Sequence, residues 1–290
     1  MTGRRKVIID TDPAFGYFGR DMDDGLAIMF ALNSQEIEPL ALTVTHGNVS
    51  MPKAFRSAKN VLKFLEREEI PVYRGAAAPG ADDTEAADKI PELISAHGGG
   101  LTILAIGPLS NLAAAEKRCP GVLSRVHSLV IMGGAVYRKG NVPPFMHAEF
   151  NFWKDPLAAG AVLQSGARIV LFPLDVTHKV TFGGTCMKRL RASSSPAARF
   201  LLDNLKVWHW MNSTFTLLDG FHPHDPIAAS YLVAPELFEL TDEKLEIHRT
   251  GSRKGMVFTS DDGVPVSVAV DVDENAFLNL LLERLLSPPL

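Results

Sequence analysis

The chain has 290 residues, a formal net charge of −4, 46% apolar residues and 21% charged ones, an ordinary balance with ample length to bury a core. No basic block offsets the negative charge, so composition gives no reason to expect nucleic acid as a partner, and Lys188-Arg189-Leu190-Arg191 is expected to be a solvated helix face. Two cysteines, Cys119 and Cys186, argue against a disulfide framework, and no apolar run reaches membrane-spanning length or suits a signal peptide. A reduced, cytoplasmic protein is expected.

In chain order, strands are predicted at Val7 to Ile9, Leu40 to Val44, Val72 to Arg74, Leu101 to Ile106, Ser128 to Met132 and Arg168 to Phe172. They are nearly continuous apolar runs, as for parallel strands covered on both faces. Helical patterns fall between them at Asp24 to Asn33, Ala54 to Glu66, Leu109 to Arg118 and Pro156 to Gln164, with Ser50-Met51-Pro52 as a capped start. A longer helix is expected from Pro196 to Thr216 and a short one after His224. Strands then follow around Leu245 to Ile247 and Val264 to Val270, as a hairpin or an edge, and a tail helix runs from Glu274 to Leu286. The alternation predicts an α/β fold: an open, mostly parallel sheet with helices on both faces. No Gly-, Ser- or Pro-rich linker divides the chain, so residues 1–290 are expected to form one domain.

Ligands of open α/β sheets bind beyond the carboxyl ends of the strands, which ranks polar residues there first. Val7-Ile8-Ile9 runs into Asp10-Thr11-Asp12-Pro13, and in an extended chain Asp10 and Asp12 point to the same side. Their repulsion calls for a cation or for hydrogen bonds. A second pair, Asp23-Asp24, opens the next helix, where free amides favour acids. Asp-Pro occurs three times. Asp155-Pro156 needs no explanation beyond a helix cap, whereas Asp225-Pro226 follows His224 and so joins an acid to an imidazole. Carboxylates with few histidines and no cysteine nearby suit a hard cation with oxygen ligands, calcium or magnesium rather than zinc.

Together these residues resemble the inosine-uridine nucleoside hydrolase family. The opening DTDPAFGYFGRDMDDGLAIMFAL has the ends of the family's Asp-x-Asp-Pro-Gly-x-Asp-Asp-Ala motif, with residues 14–22 between Pro13 and Asp23 as an insertion. His46-Gly47-Asn48, Gly107-Pro108-Leu109-Ser110-Asn111-Leu112-Ala113, Met132-Gly133-Gly134 with Gly140-Asn141 and Ala148-Glu149-Phe150-Asn151, Leu174-Asp175-Val176-Thr177-His178, and His224-Asp225-Pro226 follow in the family's order. The resemblance implies hydrolysis of the N-glycosidic bond of ribonucleosides, with Ca2+ held by Asp12, Asp24, Asp225 and the carbonyl of Ile106. It also implies Asp12 as the general base, Asp10 as its support, and a ribose pocket of Asp23, Asn48, Met132, Asn141, Glu149 and Asn151, with His224 beside the leaving base. A homo-oligomer acting on a small nucleoside is expected.

Three segments depart from the pattern. Residues 76–83 are short and lack the family's His-Gly-x-x-Gly stretch, and the spacing from Asn141 to Glu149 is long. The insertion, with Phe15, Tyr17, Phe18 and Arg20, either folds over the pocket or lies at a subunit contact. Two alternatives follow from the acids alone. One is an aspartyl-phosphate phosphatase with Asp10 as nucleophile and magnesium alongside; the other is a degenerate protein that binds ribosides without turnover.

Overall fold

Along the first strand, Val7 and Ile9 belong to one buried apolar cluster and Ile8 to another. The sheet is therefore covered on both faces, which is why its strands read as unbroken apolar runs. The computed structural model describes residues 3–17, 20–145, 147–215 and 219–288, and of 206–215 the backbone alone. Phe18 of the insertion and the side chains of Trp208 and Trp210 lie outside the described residues.

The elements in order are β1 (Arg5–Thr11), α1 (Asp23–Leu32), β2 (Ile37–Val44), α2 (Met51–Phe64), β3 (Val72–Arg74), α3 (Glu85–His97), β4 (Leu101–Ala105), α4 (Ser110–Arg118), β5 (Ser128–Met132), α5 (Phe150–Lys154) and α6 (Pro156–Leu163). They continue with β6 (Ile169–Phe172), α7 (Leu174–Thr177), β7 (Phe182–Gly183), α8 (Gly184–Ala192), α9 (Pro196–Phe215), β8 (Gly220–Phe221), α10 (His224–Ser230), β9 (Phe238–Ile247), β10 (Val257–Thr259), β11 (Val264–Val272) and α11 (Glu274–Leu286). Nine strands form one sheet in the order β10-β9-β11-β6-β5-β4-β1-β2-β3, parallel from β11 through β3 and antiparallel at β9 and β10. One face is packed by α1, α2, α10 and α11, the other by α3, α4 and α6. This is the open, mostly parallel α/β sheet expected from the sequence. Among the described residues no helix is long and apolar enough to cross a membrane.

Besides α5, α7, α8, β7, β8 and β10, none of which the sequence predicts, two elements differ from the expectation for a readable reason. Helix α3 lies in a stretch rich in alanine and acids with Pro91 inside it, and its buried face is only Ala86, Ala87, Ile90 and Ile94. Strand β9 is ten residues long, FELTDEKLEI, and only Phe238 and Leu245 are buried, because one of its faces meets water. A search for apolar runs finds only its end. At the start of α2 the Ser50 carbonyl, not its hydroxyl, receives the amides of Lys53 and Ala54.

Strand order reverses between β1 and β4: the chain proceeds outward through β2 and β3 on one side and through β5 and β6 on the other. Connections therefore leave in opposite directions and open a crevice beyond the carboxyl ends of these two strands.

Candidate active site

Asp10, within β1, sits between Thr43 of β2 and Ala105 of β4 and is 0% exposed. Its Oδ1 accepts from Thr43 Oγ1 at 2.6 Å and Asn111 Nδ2 at 2.7 Å, and its Oδ2 is buried without a partner. Burial pushes its carboxyl up to about 7, against those two hydrogen bonds. Asp10 lies beneath the crevice and does not line it.

Asp12 follows the end of the strand and is also fully buried. Its Oδ2 accepts the amide of Asn48, and its Oδ1 has no partner. Burial, with Asp24 and then Asp10 and Asp21 as like-charged neighbours, holds its carboxyl well above the usual range. Gly47 is what allows this approach, since a Cβ there would stand 2.0 Å from Asp12 Oδ2. Gly47→Ala is therefore expected to displace Asp12 and the Asn48 amide, at a cost of about 1–3 kcal/mol in stability and at least about tenfold in activity. A thermal melt read beside an activity assay checks this.

Asp24 ties the two motifs together. Its Oδ1 accepts Thr11 Oγ1 at 2.5 Å and the Asp12 amide at 3.0 Å, and its Oδ2 accepts Asn48 Nδ2 at 3.1 Å. Burial nonetheless raises it to about 6. Asp23 Oδ2 accepts the amide of Asp225 at 3.2 Å. Carboxylate oxygens of Asp23, Asp24 and Asp225 lie within 4.8 Å of one another. Burial and the neighbouring Asp23, Asp24, Asp21 and Asp12 hold Asp225 well above the ordinary carboxylate range. No ion pair to a lysine or arginine offsets these charges among the described residues. A buried acid group with an unpartnered oxygen and no counter-charge fits a hard divalent cation.

The cleft itself is lined by Arg20, Asp21, Asp23, Asn48, Ile106, Met132, Asn141, Glu149, Phe150, Asn151, His224 and Asp225. All six residues expected around the ribose are among these. Glu149 caps α5, accepting the amides of Asn151 at 2.6 Å, Phe152 at 3.1 Å and Gly134 at 2.9 Å, and burial raises it to about 7. Asn151 Nδ2 donates to the carbonyls of Ile106 at 3.1 Å and Met132 at 3.4 Å. Asn141 keeps a buried Oδ1 without a partner despite its altered spacing. His224 Nδ1 lies 2.7 Å from Thr177 Oγ1, and His178 and His222 stand with ring centroids 5.3 and 5.9 Å away. Burial, then those two rings and Arg138, lower His224 well below its ordinary value, so it is neutral.

Sequence reasoning missed several residues here. Asp21 closes the entrance to α1, its Oδ1 accepting the amides of Met22 at 2.7 Å and Asp23 at 3.4 Å. Asp155 caps α6 through Ala158 as expected, at 3.1 Å, but its other oxygen accepts Ser110 Oγ at 2.7 Å and the Gly80 amide at 3.3 Å. Ser110 Oγ lies 3.2 Å from His46 Nε2. With the Ser110 proton on Asp155, His46 Nε2 is the donor, which fixes the residue preceding Gly47 and Asn48. The signal for this chain was the His46-Gly47-Asn48 block itself; nothing in it points to Asp155.

An acidic, amide-lined cleft at the reversal point of an open α/β sheet suits a small hydroxyl-bearing ligand. The family described as inosine-uridine preferring nucleoside hydrolase matches residues 7–279. The chain is 31% identical to a probable uridine nucleosidase of Arabidopsis thaliana, covering 98% of both. It is 32% identical to a pyrimidine-specific ribonucleoside hydrolase of Salmonella enteritidis, covering 96% of this chain and 97% of that protein. Its fold superposes on a plant nucleoside hydrolase with a TM-score of 0.90 at 31% identity, covering 98% and 99% of the two chains. A purine-preferring ribonucleoside hydrolase from Gardnerella vaginalis gives 0.87 at 29% identity, covering 97% and 98%. The chain belongs to the inosine-uridine preferring nucleoside hydrolase family and is an enzyme of ribonucleoside hydrolysis.

Proposed function

We infer that this enzyme cleaves the N-glycosidic bond of ribonucleosides with Asp12 as general base and Ca2+ as cofactor, giving ribose and a free base. The observation that carries the reading is Asp12 Oδ1, a buried carboxylate oxygen with no protein partner, beside Asp24, whose own carboxylate groups with those of Asp23 and Asp225. Asp12, Asp24, Asp225 and the Ile106 carbonyl would hold the cation; of these the structure groups Asp24 and Asp225 with Asp23, while Asp12 lies outside that group as a charged neighbour of both and Ile106 lines the cleft. When bound, Ca2+ supplies Lewis acidity toward water and fixes sugar hydroxyls. Asp12 takes the proton of the attacking water, aimed by the Asn48 amide on its other oxygen. Asp23, Asn48, Asn141, Glu149 and Asn151 orient the ribose, with Met132 against its apolar face. The transition state carries positive charge on the sugar, which an acidic cleft stabilises.

His224 serves the leaving base. Its low basicity makes it a neutral hydrogen-bond donor rather than the carrier of a spare proton. His224→Ala is expected to slow at least one natural nucleoside about ten- to hundredfold more than a nitrophenyl riboside, whose leaving group departs unaided. Equal losses on both would mean that it only positions Asp225.

Reducing-sugar release from purine and pyrimidine ribosides in added calcium tests the main reading. Phosphate release from phosphomonoesters without sugar release would instead support the phosphatase. That alternative needs Asp10 as nucleophile, and Asp10 is 0% exposed with Oδ1 occupied by Thr43 and Asn111. Riboside binding without sugar release would support the degenerate protein. A cytoplasmic location and no affinity for nucleic acid accompany the reading, supported by the net charge of −4 and two free cysteines, and a homo-oligomer is proposed with them.

A further inference from the structure

The insertion between Pro13 and Asp23 is fixed at both ends. Phe15 is 5% exposed, and its ring lies 5.3 Å from that of Phe200, which stacks on Phe64 at 3.8 Å. Gly25 of α1 makes the room, since a Cβ there would stand 2.2 Å from the Phe15 ring. Ser57 Oγ donates to the Phe15 carbonyl at 3.1 Å, and the Tyr17 amide to Ala14 at 3.0 Å. At the exit, Asp21 accepts the amides of Met22 and Asp23. Between these fixed points the chain presents Arg20 at the wall of the cleft that Asp23 and His224 also line. Of the described residues of the insertion, Arg20 and Asp21 thus line the pocket, while Phe15 is spent on the core.

Arg20 is the one lysine or arginine among the described residues lining the cleft. It makes no side-chain hydrogen bond or ion pair with any described residue, although Asp21, Asp23, Glu149 and Asp225 line the same space. A guanidinium is donor-only and charged at every working pH. Carboxylates and amides already suit the ribose hydroxyls, which donate. A nucleobase carbonyl accepts without donating, and it gains negative charge as the glycosidic bond breaks.

We propose that Arg20 is a specificity-determining residue that hydrogen-bonds a carbonyl oxygen of the leaving nucleobase and stabilises the charge developing there. This rests on the riboside-hydrolase reading. The C1′–N bond breaks with its electron pair going to the base and delocalising onto the carbonyl oxygen held by Arg20. The water oxygen bonds to C1′, one of its protons passes to Asp12, and the released base takes a proton from solvent. The insertion therefore completes the base half of a site whose sugar half is built from the sheet.

The test compares kcat/KM of the unaltered protein, Arg20→Ala and Arg20→Lys on inosine, uridine, adenosine and a nitrophenyl riboside. Arg20→Ala is expected to lose about ten- to hundredfold on inosine and uridine. Adenosine, whose base has no carbonyl, and the nitrophenyl riboside should change less than about threefold. Arg20→Lys should recover part of the loss by keeping the charge without the fork. Because Arg20 is exposed, melting temperatures should match. Equal losses on all four substrates, no loss on inosine and uridine, or an unaltered protein that cleaves adenosine and neither of those overturns the proposal. An unaltered protein that releases sugar from none of the four overturns the hydrolase reading, and this proposal with it.

Discussion

Asp12→Asn is expected to lower riboside turnover by about two to four orders of magnitude while leaving the melting temperature of the cation-free protein unchanged or raised. The two effects have one origin. Asp12 is a fully buried acid beside Asp24 and Asp10, so the cation-free fold carries its charge at a cost. Asparagine keeps the shape and an oxygen for the Asn48 amide, and it offers an amide where Oδ1 now has no partner. What it cannot do is take a proton from water. Weaker cation binding would mimic this loss, so the assay belongs in saturating calcium, with binding measured alongside. Turnover near that of the unaltered protein under those conditions would rule Asp12 out as the base.

Stripping divalent cations is expected to abolish turnover and to lower the melting temperature, with calcium restoring both. At a free concentration a thousandfold above Kd, a ligand of the folded state adds about 4 kcal/mol, or roughly 5–10 °C for a chain of this size. The size of the shift depends on pH in a definite direction. Asp10 and Asp24 are raised from 3.8 to about 7 and about 6, so the cation-free fold holds protons that the unfolded chain would release. Its stability is full below about pH 4 and falls as pH rises through about 6 to 7. Calcium replaces those protons, so the increment it adds should grow across the same window. Calorimetry with and without calcium at pH 5 and pH 8 checks the sign; a larger increment at pH 5 would contradict it. Elemental analysis that found stoichiometric zinc, no calcium and full activity would refute the cofactor assignment.

The sheet was legible because β1, β4, β5 and β6 are buried on both faces and have to be apolar throughout. The acids at the end of β1 were legible for a related reason: Asp10 interrupts such a run, and a buried charge needs a purpose. All but the end of strand β9 stayed hidden because alternation with charged residues resembles a loop, and α3 because alanine and proline disguise a helix whose buried face is small. Asp155 shows a different limit. Its role as a cap was read correctly from the proline after it, but the acceptance of Ser110 and Gly80 depends on tertiary placement that no local pattern encodes. Likewise, that Arg20 reaches the cleft follows from Phe15 finding the space over Gly25, a contact between segments with no shared motif.

The two outer strands of the sheet, β3 and β10, are three residues long each. At the β3 side the amide of Arg74 is already given to Glu85 at 2.9 Å, and its guanidinium lies 3.9 Å over the Phe55 ring. β10 covers only Leu245 to Ile247 of the ten-residue β9, so among the described residues the outer side of β9 before Lys244 has no strand partner, and it is the charges of Glu239, Asp242, Glu243 and Lys244 that discourage a strand from another molecule there. An uncharged border of that length would invite copies to polymerise edge to edge, whereas the alternating charges of this one oppose it.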